Sequence, residues 1–380
     1  MDLFFYGTLR YAPLLRVVLG ASYEKIAPVP AVLQGHQPRA ILGENFPMIV
    51  PMEGQTNGML CRGLSPEDVA RVNFYEGGYN YELREVTVET DDGPTQTLAY
   101  FAMDANWRDN GLWKLAEWEP AHGELVACAA EEVMSYFGII SAAQLEFMFP
   151  MIRARASAKL TAAKEKRVLG PSGYSRADTQ TLNIETNHKG FFILNTAEVS
   201  YRQYDGTMSP AVNREVFVGT EASIVLPYDP VRDRVLLVEQ FRAGPFVRGD
   251  KAPWMLEPIA GRVNPGETPE EAAHREGFEE TNLTFSDLHT VAKVYASPGC
   301  NTEYFNIFLG ITDLPDDIVG VSGLESEAED IRSYLYSFDE LMEMTDSYQA
   351  ANAPLVLAAL WLSRHRKRLH HEFEGGLSSQ

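Results

Sequence analysis

The 23 residues from Gly261 to Leu283, GRVNPGETPEEAAHREGFEETNL, constrain this chain more than any other stretch. Thr268 is a good N-cap, Pro269 suits the first helical position, and Glu271 completes a Thr-x-x-Glu capping box. A helix is therefore expected to start at Pro269. On it Glu276 and Glu280 are i, i+4 neighbours on one face, with Glu279 beside them. Carboxylates packed this closely repel one another, and a divalent cation relieves the repulsion. Hard oxygen ligands suit Mg²⁺ or Mn²⁺. The plain alternative is a solvated acidic helix face, which most Glu-rich helices are.

The full spacing is more specific than that alternative. Gly261 is followed by five residues and Glu267, then by seven residues and Arg275-Glu276, then by Glu279-Glu280. This resembles the Nudix box, the motif of hydrolases that split a nucleoside diphosphate linked to another moiety. The resemblance implies a metal held by Glu276, Glu280 and the backbone carbonyl of Ala260, with Glu279 among the catalytic acids. Two positions depart from the pattern. Gly277 stands where a larger apolar residue is usual, and glycine inside a helix costs roughly 1 kcal/mol relative to alanine. Asn282 stands where glycine usually ends the helix, and asparagine is the next-best left-handed C-cap.

The length of 380 residues allows two or three domains, and 45% hydrophobic content argues for packed cores. Formal net charge is -21, with 31 acidic against 16 basic residues in 183–380. Such a chain is not expected to bind nucleic acid or an anionic membrane nonspecifically. Cys61, Cys128 and Cys300 have no CxxC spacing and read as reduced thiols of a cytoplasmic protein. The start, MDLFFYGTLR, has too short an apolar run for a signal peptide, and no stretch reads as a transmembrane helix.

Leu3 to Tyr6 read as a strand entering the turn Gly7-Thr8, and Leu9 onward as a helix ended by Gly20. Unpaired N–H groups at such a junction make an anion site. FFYGTLR, together with Val72-Asn73-Phe74-Tyr75-Glu76-Gly77 and the strand Glu85–Val88, resembles the γ-glutamylcyclotransferase-like (AIG2-like) family. That resemblance implies that the backbone of Tyr6, Gly7, Thr8 and Leu9 binds substrate. It also implies that Glu76 moves a proton as an α-amine attacks a γ-carbonyl. The chemistry requires a carboxylate of raised pKa, which burial beside Phe74 and Tyr75 could supply. The other reading makes Glu76 a surface acid at a tight turn. Pro28, Pro30, Pro38, Pro47 and Pro51 suggest short strands in a small α+β barrel over 1–120.

Residues 121–181 read as a helical connector, closing in the polar linker KEKRVLGPSGYSRADTQ of 164–180. From 182 to 374 the pattern predicts an α/β/α Nudix sandwich with an added N-terminal β-sheet. The strands from 187 to 230, with a hairpin signal at Asp205-Gly206, resemble the start of bacterial ADP-ribose pyrophosphatases. In that group such strands are exchanged in a homodimer, and Phe191 and Phe192 match aromatics of the adenine pocket. Core phenylalanines are the competing interpretation. Arg242, at the end of the strand Val235–Val238, and Arg214, before the strand Glu215–Phe217, suit pyrophosphate, which a planar guanidinium binds through two bonds.

Pro298 lies 15 residues beyond Leu283, an offset that marks ADP-ribose pyrophosphatases in the family. Glu325 to Ile331 resemble the catalytic loop of those enzymes, with Glu327 matching the base and Glu329 a metal ligand. The expected activity is Mg²⁺-dependent hydrolysis of ADP-ribose to AMP and ribose 5-phosphate. A GDP-sugar or other nucleotide-sugar pyrophosphatase is the nearest rival. A nonhydrolytic ADP-ribose sensor is a second. The N-terminal domain is expected to be a γ-glutamyl cyclotransferase or a ligand-binding module.

Overall fold

The proline-bearing strands of the N-terminal half are long and bent, not short. A computed structural model of the chain describes residues 1–77, 81–103, 107–322 and 330–377, the side chains of 373–377 excepted. Its contacts divide it into two units, Met1–Lys164 and Glu165–Gln380.

The first unit contains β1 (Leu3–Phe5), α1 (Ala12–Leu19), β2 (Val29–Ile41), β3 (Pro47–Cys61), α2 (Pro66–Glu76), β4 (Tyr81–Thr90), β5 (Gly93–Ala102) and β6 (Asp109–Leu112). The order β3-β1-β5-β4-β2 closes through a further β2–β3 pairing, giving a five-stranded barrel with β6 added on β2. The prolines do not break β2 and β3 into short pieces. The β2–β3 register slips between Gln34 and His36, and such a bulge lets a long strand bend around a barrel. Alternation in β1 sends Phe4 and Tyr6 into the barrel and Leu3 and Phe5 against the helices.

Thr8–Arg10 forms a 3₁₀ turn, and the α-helix begins only at Ala12 with Pro13 in its first turn. The expected anion site at a helix start therefore becomes a turn, its Gly7 carbonyl already accepting from the Arg10 N–H (3.1 Å). Gly20 ends α1 with φ 59°. After α3 (Leu115–Trp118), α4 (Glu124–Ser135) and α5 (Ala142–Lys164) are not a free connector. Ala129, Ala130, Val133, Leu145, Ile152 and Ala156 share one core with Leu3, Leu14, Val18 and Val72. Arg155, 4% exposed, ties α5 to α4 by donating to both oxygens of Glu132 at 2.5 and 3.0 Å. A buried cation needs such a partner.

The second unit opens with an antiparallel sheet of β7 (Thr179–Lys189), β8 (Ile193–Tyr201) and β9 (Val212–Val218). Asp205-Gly206 turns a short extension between β8 and β9, closed by an Arg202–Met208 bridge. Then come β10 (Glu221–Asp229), β11 (Arg234–Phe241), α6 (Ala243–Arg248), β12 (Trp254–Glu257), β13 (Ile259–Arg262), α7 (Pro269–Thr281), β14 (Asp287–Tyr295), β15 (Tyr304–Ile311), β16 (Val321–Ser322), β17 (Ile331–Ser337), α8 (Phe338–Asp346) and α9 (Ala353–Leu377). The main sheet runs β14-β15-β10-β11-β17-β16, with β12 on β11 and β13 on β10.

Both faces of this sheet are buried, which explains its near-continuous apolar strands. Ile224, Leu226, Val235, Leu237, Ile307 and Leu309 face Leu341, Leu355, Ala358 and Leu362 of α8 and α9. The alternate residues Val225, Leu236, Val238 and Phe308 face Ala273, Leu283 and Phe285 on the α7 side. The result is an α/β/α sandwich with an added sheet. The last helix runs on through Gly375-Gly376.

Candidate active sites

The capped helix forms as its sequence dictates. Thr268 Oγ1 accepts from the Glu271 N–H (3.1 Å), and the Glu271 carboxylate accepts from the Thr268 N–H (2.7 Å). Asn282 supplies the left-handed C-cap at φ 56°. Acid repulsion on α7 is offset by one arginine. The Arg275 guanidinium donates to both Glu267 oxygens (2.8 and 3.0 Å), to Glu276 Oε1 (2.6 Å), to Glu279 Oε2 (2.9 Å) and to the Arg262 carbonyl (2.8 Å). Burial works against its charge on Glu267, yet the Arg275 hydrogen bonds hold that carboxyl below the usual range.

Gly261 of β13 faces this array. A β-carbon there would lie 1.8 Å from Glu276 Oε1, so only glycine admits the carboxylate against the strand. Ala260, the neighbouring metal-ligand candidate, pairs with Ile224 in the β13–β10 ladder. Glu280 is 3% exposed and faces inward. Among the described residues no three His, Cys, Asp or Glu side chains form a metal cluster. The expected set draws one donor from a backbone carbonyl, and Glu329 and Glu327 lie outside the described residues. The carboxylate oxygens of Glu276 and Glu280 and a backbone carbonyl such as that of Ala260 are the hard donor type that a hard divalent cation takes, and the missing side chain at Gly261 admits the Glu276 carboxyl against β13.

Gly277 has a tertiary reason that spacing does not reveal. A β-carbon there would lie 2.5 Å from the Phe285 ring, and one at Gly310 would lie equally close to its other edge. Phe285 supplies the apolar volume that the family pattern places on the helix. Gly277→Leu is expected to destabilise the protein by about 1–3 kcal/mol through overpacking. Adding Phe285→Ala should make the double variant less damaged than the sum of the singles. Urea unfolding of the four proteins checks this coupling.

Arg242 sits where β11 ends. It caps α6, and its guanidinium donates to Glu257 Oε2 at 2.8 and 2.6 Å. Glu257, buried, also accepts from Asn352 Nδ2 (3.3 Å). Glu257 escaped detection because its partner is near only across the β11–β12 pairing. Arg214 lies inside β9, not before it, and is exposed, with Nη1 donating to the Asn213 carbonyl (2.9 Å). Phe191 and Phe192 are 59% and 46% exposed and pack edge-on, with Phe192 against Phe217. They are surface aromatics, not core.

In the first unit a single pocket wall brings together Tyr6, Gly7, Thr8, Leu9 and Glu76. Phe46, Tyr81, Tyr100 and Trp118 give it an aromatic lining. Tyr81 donates to the Pro47 carbonyl (2.9 Å) and Tyr100 to Asn73 Oδ1 (2.5 Å). Glu76, at the end of α2, is half-buried, and burial pushes its carboxyl up to about 8. Burial, then the charge of Glu76, also raises the phenols of Tyr6 and Tyr100. Arg153 of α5 completes the wall, a contribution from a helix that the local sequence does not connect with the barrel.

Residues 220–358 match the NUDIX domain, and residues 3–120 match the family described as gamma-glutamyl cyclotransferase, AIG2-like. The chain belongs to the Nudix hydrolases and carries a γ-glutamyl cyclotransferase-like domain ahead of its Nudix domain. The ADP-ribose pyrophosphatase of Escherichia coli (strain K12) is 35% identical over 203 residues, 53% of this chain and 96% of that protein. That of Haemophilus influenzae is 32% identical over 203 residues, 53% and 93% of the two chains. A GDP-mannose pyrophosphatase of Salmonella arizonae is 30% identical over 149 residues, 39% and 76% of the two chains.

Proposed function

We propose that the second unit hydrolyses the pyrophosphate of ADP-ribose to AMP and ribose 5-phosphate. The observation that carries this is the extent of likeness: 96% of an ADP-ribose pyrophosphatase is matched, against 76% of a GDP-mannose pyrophosphatase. Mg²⁺ or Mn²⁺, held by Glu276, Glu280, Glu329 and the Ala260 carbonyl, would offset pyrophosphate charge and make bound water a better nucleophile. Arg242 and Arg214 orient the diphosphate, and Glu327 or Glu279 takes the proton of the attacking water. Arg275 keeps Glu276 and Glu279 in place. The test is AMP release from ADP-ribose with Mg²⁺, run beside GDP-mannose. Faster turnover of GDP-mannose would reverse the substrate assignment, and tight ADP-ribose binding without AMP would make the unit a sensor.

The same unit is proposed to work as a homodimer. Leu182, Ile184, Phe191, Phe192 and Met208 leave β7–β9 and its extension with exposed apolar surface that a second copy would cover. Sedimentation of the full chain as a monomer would contradict this. Among the described residues no helix is long and apolar enough to cross a membrane. A cytoplasmic enzyme remains the proposal.

For the first unit we infer a γ-glutamyl cyclotransferase. The α-amine of a γ-glutamyl group attacks its own γ-carbonyl, the bond to the leaving amine breaks, and Glu76 carries the proton from one nitrogen to the other. Glu76→Gln should abolish 5-oxoproline release. The raised pKa also predicts a stability effect. Between about 4.5 and about 8 the folded form holds a proton that the unfolded form has lost, so stability falls as pH rises through this window. Thermal melts of the full chain should show Glu76→Gln gaining on the wild type at pH 8 relative to pH 5.

A further inference from the structure

The pocket of the first unit carries two charged side chains, Glu76 at the end of α2 and Arg153 on α5. Among the described residues neither makes a hydrogen bond or an ion pair, and Arg153 Nε is buried without an acceptor. Arg153 and Phe149 are i, i+4 neighbours on α5, so one face of that helix forms part of the pocket wall. Val126, Ala129 and Ala130 of α4 line it alongside, the two alanines leaving room. The Arg155–Glu132 pair fixes α5 on α4, and both helices lie beyond the 3–120 match to the cyclotransferase-like family.

A buried guanidinium nitrogen without an acceptor is costly, and a planar donor set of this kind is satisfied by a carboxylate. We propose that Arg153 is a specificity residue that makes this pocket a site for a small carboxylate-bearing ligand. The carboxylate sits on Arg153 and the ligand body lies against Phe149 and the aromatic wall, with a second polar group reaching Glu76. The recognising cation comes from a helix appended to the barrel, so the appended pair sets which ligand the barrel accepts. Binding of this kind does not require turnover at Glu76.

The experiment uses the full chain and two probes of matched size, 5-oxoproline and its uncharged carboxamide, titrated by calorimetry. The acid is expected to bind about tenfold or more tighter than the amide, the difference that one charge-assisted pair supplies. Arg153→Met should erase that preference, and Arg153→Lys should restore only part of it, because an ammonium does not reproduce the fork. Glu76→Gln should keep the preference while losing turnover, which separates this assignment from the cyclotransferase one. Equal affinity for acid and amide in the wild type, or no binding of the acid up to about 10 mM, would overturn the proposal. So would an unchanged preference in Arg153→Met. The wild-type comparison stands even if a variant fails to fold.

Discussion

Glu280→Gln should lower the rate of AMP release from ADP-ribose by about 100- to 1,000-fold, as loss of one preorganised charge-stabilising group does. Glu280 is on the inward face of α7, one turn beyond Glu276, and is 3% exposed. Glutamine keeps the volume and removes the charge, so the helix and its caps should be undisturbed. The melting temperature should hold or rise, because a buried carboxylate is costly to desolvate. Calorimetric titration with Mn²⁺ should show weakened binding in the same variant. Full turnover in Glu280→Gln would remove the metal-site assignment altogether.

Gly261→Ala is expected to be as damaging, although alanine adds a single methyl. That carbon would sit 1.8 Å from Glu276 Oε1 and 1.9 Å from its carboxyl carbon. The strand cannot retreat, because β13 is paired with β10 from Ala222↔Arg262 to Val225↔Ile259. Glu276 must therefore leave, and with it one arm of the Arg275 array. Activity should fall by about 100-fold or more, while stability changes little, because the atoms displaced are the movable end of a flexible side chain. The informative comparison is with Glu276→Ala. If the glycine acts by making room for that carboxylate, the double variant should be no slower than either single. Additive losses would mean that Gly261 serves something else.

Local features were legible in the sequence wherever physics acts over a few residues. The cap at Thr268, the helix from Pro269 and the left-handed Asn282 follow from side chains reaching backbone groups three or four residues away. The strand Val235–Val238 likewise follows from an apolar run. Prolines in β2 and β3 misled because long strands carry them here, Pro51 pairing with His36 directly beside the register slip. The helices of 124–164 misled because amphipathic spacing shows that a face is buried without showing against what. Phe191 and Phe192 could be core or site by composition, and only their exposure separates the two.

The sequence by itself determined the capped acidic helix, the two strand patterns and the acids and arginines available for chemistry, because those depend on near neighbours along the chain. Tertiary structure decided which of these groups meet. It seated Phe285 in the gap at Gly277, placed Arg275 among three glutamates, committed Arg242 to Glu257, and aligned Arg153 with a barrel it does not adjoin in sequence. Such meetings depend on how strands and helices stack, and packing joins residues whose separation along the chain carries no information about their distance in space.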